Sequence, residues 1–246
     1  MGWLTEWRRR RVLRKHRMDD ALWQRATAPL GFLPRTPKLR ELVLLFLAEK
    51  DLVGAHELEL TDVMRVSIAA QACTPILELG LDWYAGWHGV VVYPGDFRVR
   101  RHEVDEDGVV HEWQDDLAGE AMPGGPVVLS WDAAAHDPAI NVVIHEFAHK
   151  LDMLNGEADG VPPLHVGMDR RAWRAALDEA YEGFCDMVER GKRTWLDPYA
   201  AEHPSEFFAV VSEAFFREPR ETERRYPDLY RQLSLFYRQD PAAAGT

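Results

Sequence analysis

Cysteine is scarce in this sequence: only Cys73 and Cys185 occur in 246 residues. Two cysteines exclude a disulfide framework, and both lie in amphipathic helical patterns among apolar neighbours, the setting of buried free thiols. Nothing here calls for an oxidising compartment, and a cytoplasmic location is the expectation. No run approaches 18 uninterrupted apolar residues, so no transmembrane segment is expected. No apolar h-region follows the early arginine run, so that run does not read as a signal peptide. Positive charge is short as well, with 29 Lys and Arg against 41 Asp and Glu and a formal net charge of −12. The body of the chain therefore lacks a phosphate-neutralising surface, and direct nucleic-acid binding is not expected. The exception is residues 8–17, RRRRVLRKHR, with seven Arg or Lys and no acid. Such a block reads first as a solvated or frayed segment, then as a docking element for an acidic partner or an anionic membrane, and last as a nucleic-acid contact.

No repeat or low-complexity segment is visible; what is present is a change of texture along the chain. Residues 1–24 read as a basic, Trp-containing helical segment and residues 25–246 as one domain. After Pro34 and Pro37, residues 38–50 show helical spacing with an apolar face. Residues 60–80 read as a second helix, capped by Thr61 and stopped by Gly80, with a kink or break at Pro75. Residues 89–104, 109–113 and 126–131 are β-branched and aromatic runs punctuated by Gly, Pro and Asp, the strand signature. No helix separates these runs, so they predict a small antiparallel sheet. Helical patterns resume at 137–155, 169–190, about 204–217 and about 227–238. The order helices, strands, helices indicates an α+β fold, mainly helical.

One helix carries chemistry. Asp137 suits an N-cap, Pro138 a first helical position and Gly156 a helix-ending C′ position, so local signals predict a helix from about 138 to 155. Within it lies His145-Glu146-Phe147-Ala148-His149. Residues four apart share a helix face, about 6 Å apart along the axis, so two imidazoles can bind one tetrahedral zinc. Glu146 is turned by about 100° from His145. Its carboxylate can therefore accept a proton from an activated water without ligating the metal. Chance HExxH matches occur on exposed helices, but here Val142, Val143, Ile144, Phe147, Ala148, Leu151 and Leu154 surround the polar groups. Burying three ionisable groups without a partner is costly, which favours a metal site holding one zinc per chain.

The third ligand must come from elsewhere. The extended pattern HExxHxxGxxH would need Gly at 152 and His at 155, where this chain has Asp152 and Asn155. The alternative is a carboxylate from a later helix. In DPYAAEHPSEFFAVVSEAFF, 197–216, Pro204 opens a helix whose first turn carries Glu206. That carboxylate either caps the helix N-terminus or ligates metal. Tyr199 follows Asp197-Pro198 in a turn, where the pattern alone favours simple packing. Trp83, Trp87, Trp113 and Trp131 read as core and strand-packing residues.

The stretches LELTDVMRVSIAAQAC (58–73), VVVYPGDF (90–97), PVVLSW (126–131), VVIHEFAHKLDMLNGEADGVPPL (142–164) and DPYAAEHPSEFFAVVSEAFF together resemble the bacterial Mlc titration factor A family of metallopeptidases. The resemblance runs in order from about residue 25 to 217. It implies a zincin-like fold with zinc on His145, His149 and Glu206, a general base at Glu146 and an active-site phenol at Tyr199. It also implies aminopeptidase-type hydrolysis of a peptide substrate, and a link to sugar phosphotransferase regulation through binding an Mlc-like transcriptional repressor. One departure stands out. Many peptidases of this general type carry a carboxylate four residues after the glutamate ligand, where it orients a zinc histidine, but position 210 is Val. Another acid or a backbone carbonyl must take this role; Asp152 and Glu213 are the nearest candidate acids, each equally well explained as a salt-bridge or capping residue. Two functions compete: a peptidase, with the edge of PVVLSW taking up an extended peptide, and a repressor-sequestering binding protein with a structural or vestigial zinc site. A non-peptidase hydrolase on the same metal is a third. The intact Glu146 separates them, because a structural site has no need of it.

Overall fold

The computed structural model describes residues 3–104, 110–136 and 140–244. Its first half runs α1 (Trp3–Lys15), α2 (Asp20–Thr27), α3 (Pro37–Glu49), β1 (Asp51–Gly54) and α4 (Asp62–Cys73). Strands follow: β2 (Gly89–Tyr93), β3 (Phe97–Val104), β4 (Val110–Leu117), β5 (Gly119–Ala121) and β6 (Val127–Ser130). Helices complete the chain: α5 (Trp131–His136), α6 (Val142–Asp152), α7 (Arg170–Glu189), α8 (Pro204–Arg217), α9 (Pro219–Arg225), α10 (Pro227–Tyr237) and α11 (Pro241–Ala244). Thr61 caps α4 as its sequence position implies, its side chain accepting the Met64 N–H. Pro75 acts as a break: α4 ends at Cys73 and the chain turns to Gly80, whose φ of 86° suits glycine. Cys73 and Cys185 are both free.

The expectation of an antiparallel sheet holds only in part: the runs at 89–104 and 109–113 do meet antiparallel, as β3–β4. The four-stranded sheet, however, is mixed, in the order β1-β2-β6-β5, with β1–β2 and β2–β6 parallel and β5–β6 antiparallel. The parallel pairing has two sources. Asp51-Leu52-Val53-Gly54 is too short to announce itself as a strand, and α4 lies between it and β2 as a crossover element. Between β2 and β6 the chain makes an excursion through the β3–β4 antiparallel hairpin and β5, so a parallel return occurs without a helix. This order also moves the free edge. β6, which holds most of PVVLSW, is flanked on both sides, and the edges of the sheet are β1 and, on the side of β6, β5.

The HExxH helix starts later than its sequence signals indicate. α6 begins at Val142, and its N-cap is Asn141, whose side-chain oxygen accepts the Ile144 N–H at 2.8 Å. Asn serves this role as well as Asp, and the Asn141 amide is anchored by donating to Gln71 Oε1 at 2.8 Å. Asp137 and Pro138 lie outside the described residues, as does the side chain of Trp113. At its other end α6 tightens into a 3-10 turn over Met153–Asn155 and stops at Gly156.

Every residue of α6 is buried, since the helix packs against β5, β6, α4 and α8. Phe147 anchors it, its ring lying 5.8 Å from Phe46, 5.0 Å from Tyr84 and 5.7 Å from Trp87 between centroids. Lys150 is buried too; its ammonium donates to the carbonyls of Met122 at 2.7 Å and Gly125 at 3.0 Å. It thereby clips the β5–β6 turn to α6. Burial lowers its pKa to about 8. Trp83 and Trp131 pack against the core and Trp87 lies inside it.

Candidate metal centre

α6 and α8 form the closest helix pair at the site, and this packing brings three side chains to one point. His145 Nε2 lies 3.0 Å from Glu206 Oε2 and 3.1 Å from His149 Nε2, and His149 Nε2 lies 3.3 Å from the same Glu206 oxygen. A tetrahedral ion with bonds of about 2.05 Å sets its ligand atoms about 3.3 Å apart. The three atoms thus form a triangle of the size of one tetrahedral face, and the group can hold a metal ion. An ion at the centre of this triangle would meet the lone pairs of both ring nitrogens and the Glu206 carboxylate oxygen at once.

Glu206 reaches this point because another residue caps its helix. The N-cap of α8 is His203, whose Nδ1 accepts the Ser205 N–H at 3.2 Å. That leaves the Glu206 carboxylate to turn toward α6. The start of α8 is further fixed by Gly160, with its φ of 78°, at which a Cβ would fall 2.9 Å from the Pro204 carbonyl oxygen. The Gly160 N–H donates to Asp152 Oδ2 at 2.8 Å, and its carbonyl accepts from Trp173 Nε1 at 2.9 Å. Asp152 therefore ties the end of α6 to the loop beneath α8. Its other oxygen and His149 Nδ1 are both buried without a hydrogen-bond partner among the described residues. Burial pushes the Asp152 carboxyl up to about 7, against the opposing Gly160 hydrogen bond.

Glu213 takes the other task that sequence left open. Its Oε1 lies 2.8 Å from His145 Nδ1, and its Oε2 accepts the Asn141 N–H. The carboxylate holds the proton on Nδ1 and turns the Nε2 lone pair toward Glu206 and His149. The signal was present in the spacing: residues 206 and 213 are two helical turns apart and share a face of α8.

The electrostatics call for positive charge at the centre. Burial disfavours charged His145, but its hydrogen bonds to Glu206 and Glu213 outweigh this and raise its pKa well above the ordinary value. Burial would likewise raise Glu206, yet its hydrogen bonds with the two histidines hold it well below the usual carboxylate range. Glu146 lies apart from the triangle. Burial pushes its carboxyl up to about 8; His145 opposes this, while Glu206, Glu120 and Glu213 add to it.

Glu146 faces strand β5 at close range. A Cβ added to Gly119 would stand 2.5 Å from Glu146 Oε1 and 2.6 Å from Val142 Cγ2, so only glycine allows the edge strand to lie this near the carboxylate. Sequence gave no sign of this contact, nor of the Lys150 clip. Beside it is a cavity of about 180 Å³ walled by Leu117, Ala118, Ile140, Val142 and Val210, with His145, Glu146, Asp197 and Tyr199 at its border. Tyr199 is 43% exposed, its ring centroid 6.4 Å from that of His145. Its N–H donates to Asp197 Oδ1 at 2.9 Å, which fixes the short turn that carries it.

A helix-borne histidine pair and a carboxylate from a second helix make a group that can hold a metal ion, with a buried glutamate beside it. The family described as glucose-regulated metallo-peptidase M90 matches residues 4–238, and the chain belongs to this family. It is 41% identical over 213 residues to Mlc titration factor A of Pectobacterium atrosepticum, covering 84% of this chain and 80% of that one. Mlc titration factor A of Yersinia enterocolitica is 39% identical over 80% of this chain and 76% of its own length. An uncharacterised protein of Synechocystis is 38% identical over 83% of this chain and 76% of its own.

Proposed function

We propose that this chain is a zinc-dependent peptidase of aminopeptidase type on a zincin-like fold, with His145, His149 and Glu206 as metal ligands, Glu146 as general base and Tyr199 as oxyanion donor. Residues 25–246 form the catalytic unit and residues 1–24 a basic appendage. The observation that carries this reading is the triangle of ligand atoms beside a separate, buried glutamate that the triangle does not use. Bound there, zinc would acidify a water and polarise a carbonyl. The chain's own groups do the rest. Glu146 takes the water's proton and returns it to the leaving amine. Glu213 keeps His145 in the tautomer that ligates. The edge of β5 lies beside Glu146 and offers backbone groups to an extended peptide, with the aliphatic cavity available to an apolar side chain. No helix among the described residues is long and apolar enough to cross a membrane, and action on cytoplasmic peptides fits this.

The name of two of the relatives, Mlc titration factor A, supports a second role, binding of an Mlc-like repressor. A structural or vestigial zinc site would serve that role alone, but it would not require a glutamate buried at Glu146. The test of the first reading is peptide hydrolysis before and after chelation. About one zinc per chain should be found, activity should vanish with the metal, and zinc should restore it. A His145→Ala protein that retains full zinc would remove the ligand assignment.

Two further outcomes follow from the geometry. Glu213→Gln should weaken zinc affinity about 10- to 100-fold, the usual cost of losing a carboxylate behind a ligating histidine. Competition with a chelator of known affinity measures it; an unchanged affinity would leave Glu213 as a clamp on Asn141 only. Gly119→Ala should lower kcat with zinc content intact, because the new methyl must displace the Glu146 carboxylate or the strand. Equal kcat in the variant would mean that the edge strand moves freely.

A further inference from the structure

The basic segment is an ordered helix with two unlike faces. Arg9 turns inward, bonded to Glu49 at 2.7 Å and Asp82 at 2.7 Å, and so docks α1 on the body. The opposite face is solvent-exposed. At helical spacing it presents Trp3 (77% exposed), Leu4 (54%) and Trp7 (48%), followed by Arg10, Arg11 and Arg14. Arg11 lies over the Trp7 ring, 5.5 Å from its centroid. Along one flank, Arg8, Arg11 and Lys15 line a groove of about 780 Å³ between α1 and the body. The two acids of that groove, Glu49 and Asp82, are both engaged by Arg9, whereas Arg8, Arg11 and Lys15 form no ion pair among the described residues.

We propose that α1 is a peripheral docking helix for an anionic phospholipid surface. Trp3, Leu4 and Trp7 enter the headgroup layer, and Arg8, Arg11, Arg14 and Lys15 meet lipid phosphates, while Arg10 is paired with Glu6 of the same helix at 3.0 Å. Exposed tryptophans beside arginines are the residues that partition to a membrane interface, and clusters of four to eight cations are those that seek anionic lipid. The groove beside α1 has room for headgroups. A protein partner fits less well. Covering Trp3 and Trp7 with protein would also cover several adjacent cations, each requiring an acid at a fixed place, and charged residues are depleted from interface cores. A lipid surface brings a phosphate wherever a cation lies. The remainder of the chain is strongly acidic, so an anionic surface attracts the helix and repels the body, which sets one orientation.

The test uses the full chain and vesicles of phosphatidylcholine with or without phosphatidylglycerol, read by co-sedimentation. Wild type should bind the anionic vesicles at least tenfold more tightly than the neutral ones, and added salt should reduce that binding. Two exposed-site variants dissect it. Arg8/Arg11/Lys15→Gln should lose the salt-dependent part, and Trp3/Trp7→Ser should lose the part that survives salt. Both should keep wild-type zinc content and peptide turnover, which also verifies folding. Equal binding to neutral and anionic vesicles would overturn the proposal. So would binding to anionic vesicles that Trp3/Trp7→Ser leaves intact. Tighter binding to soluble polyglutamate than to anionic vesicles would assign the face to an acidic polypeptide and likewise overturn it.

Discussion

Glu146→Gln is expected to keep its metal and lose its hydrolysis, with kcat falling by a factor of about 10² to 10⁴, the range for removing a positioned general acid–base. The exchange conserves shape, which matters at a position only 5% exposed and pressed against Gly119. The amide cannot take a proton from water. It also stays out of the triangle of His145, His149 and Glu206, so zinc content should match wild type. Metal analysis and single-turnover hydrolysis on the same preparation measure both halves of the expectation. Near-normal turnover would remove Glu146 from the reaction and with it the peptidase reading. Repressor affinity, measured by calorimetry, should not change if that partner docks away from the cleft. A tenfold loss there would make the cleft itself the docking surface, and the repressor would then look like a substrate or an inhibitor.

The sequence disclosed those parts of the centre whose geometry is local. His145, Glu146 and His149 lie on one helix, and the four-residue spacing sets two imidazoles on one face without help from the rest of the fold. Glu206 was half-legible. Its place in a first helical turn suited a cap and a ligand equally, and only the structure reveals that His203 occupies the N-cap. The choice between Asp152 and Glu213 becomes legible only once Glu206 is known to face α6, because the seven-residue spacing then brings Glu213 to the same face of α8. Glu213 meets His145, and Asp152 spends one oxygen on the Gly160 N–H. Gly119 was silent for a similar reason. Its lack of a Cβ matters only because Glu146, 27 positions later in sequence, packs against it. The sheet failed at β1, where four residues ending in glycine gave no alternation to read, so the parallel pairing they begin could not be foreseen. The cap of α6 was missed because Asn141, like Asp137, is a good capping residue and sequence does not rank the two.

Tyr199→Phe is expected to lower kcat about 100-fold, equivalent to roughly 3 kcal/mol of lost oxyanion stabilisation, while KM changes little. A hydroxyl aimed at charge that develops only in the transition state contributes there and not in the bound ground state. Its position supports that aim: the ring stands beside His145 at the border of the aliphatic cavity, in a turn fixed by Asp197. The residue is 43% exposed, and thermal stability measured on the same protein separates any folding effect from a catalytic one. Zinc content should be unchanged, since the phenol is not one of the three converging ligands. The split between kcat and KM decides the role. A rise in KM alone would make Tyr199 a substrate-positioning group. No change in either would return it to the packing residue that its turn alone implies, and oxyanion stabilisation would then fall to the metal and to backbone N–H groups at the site.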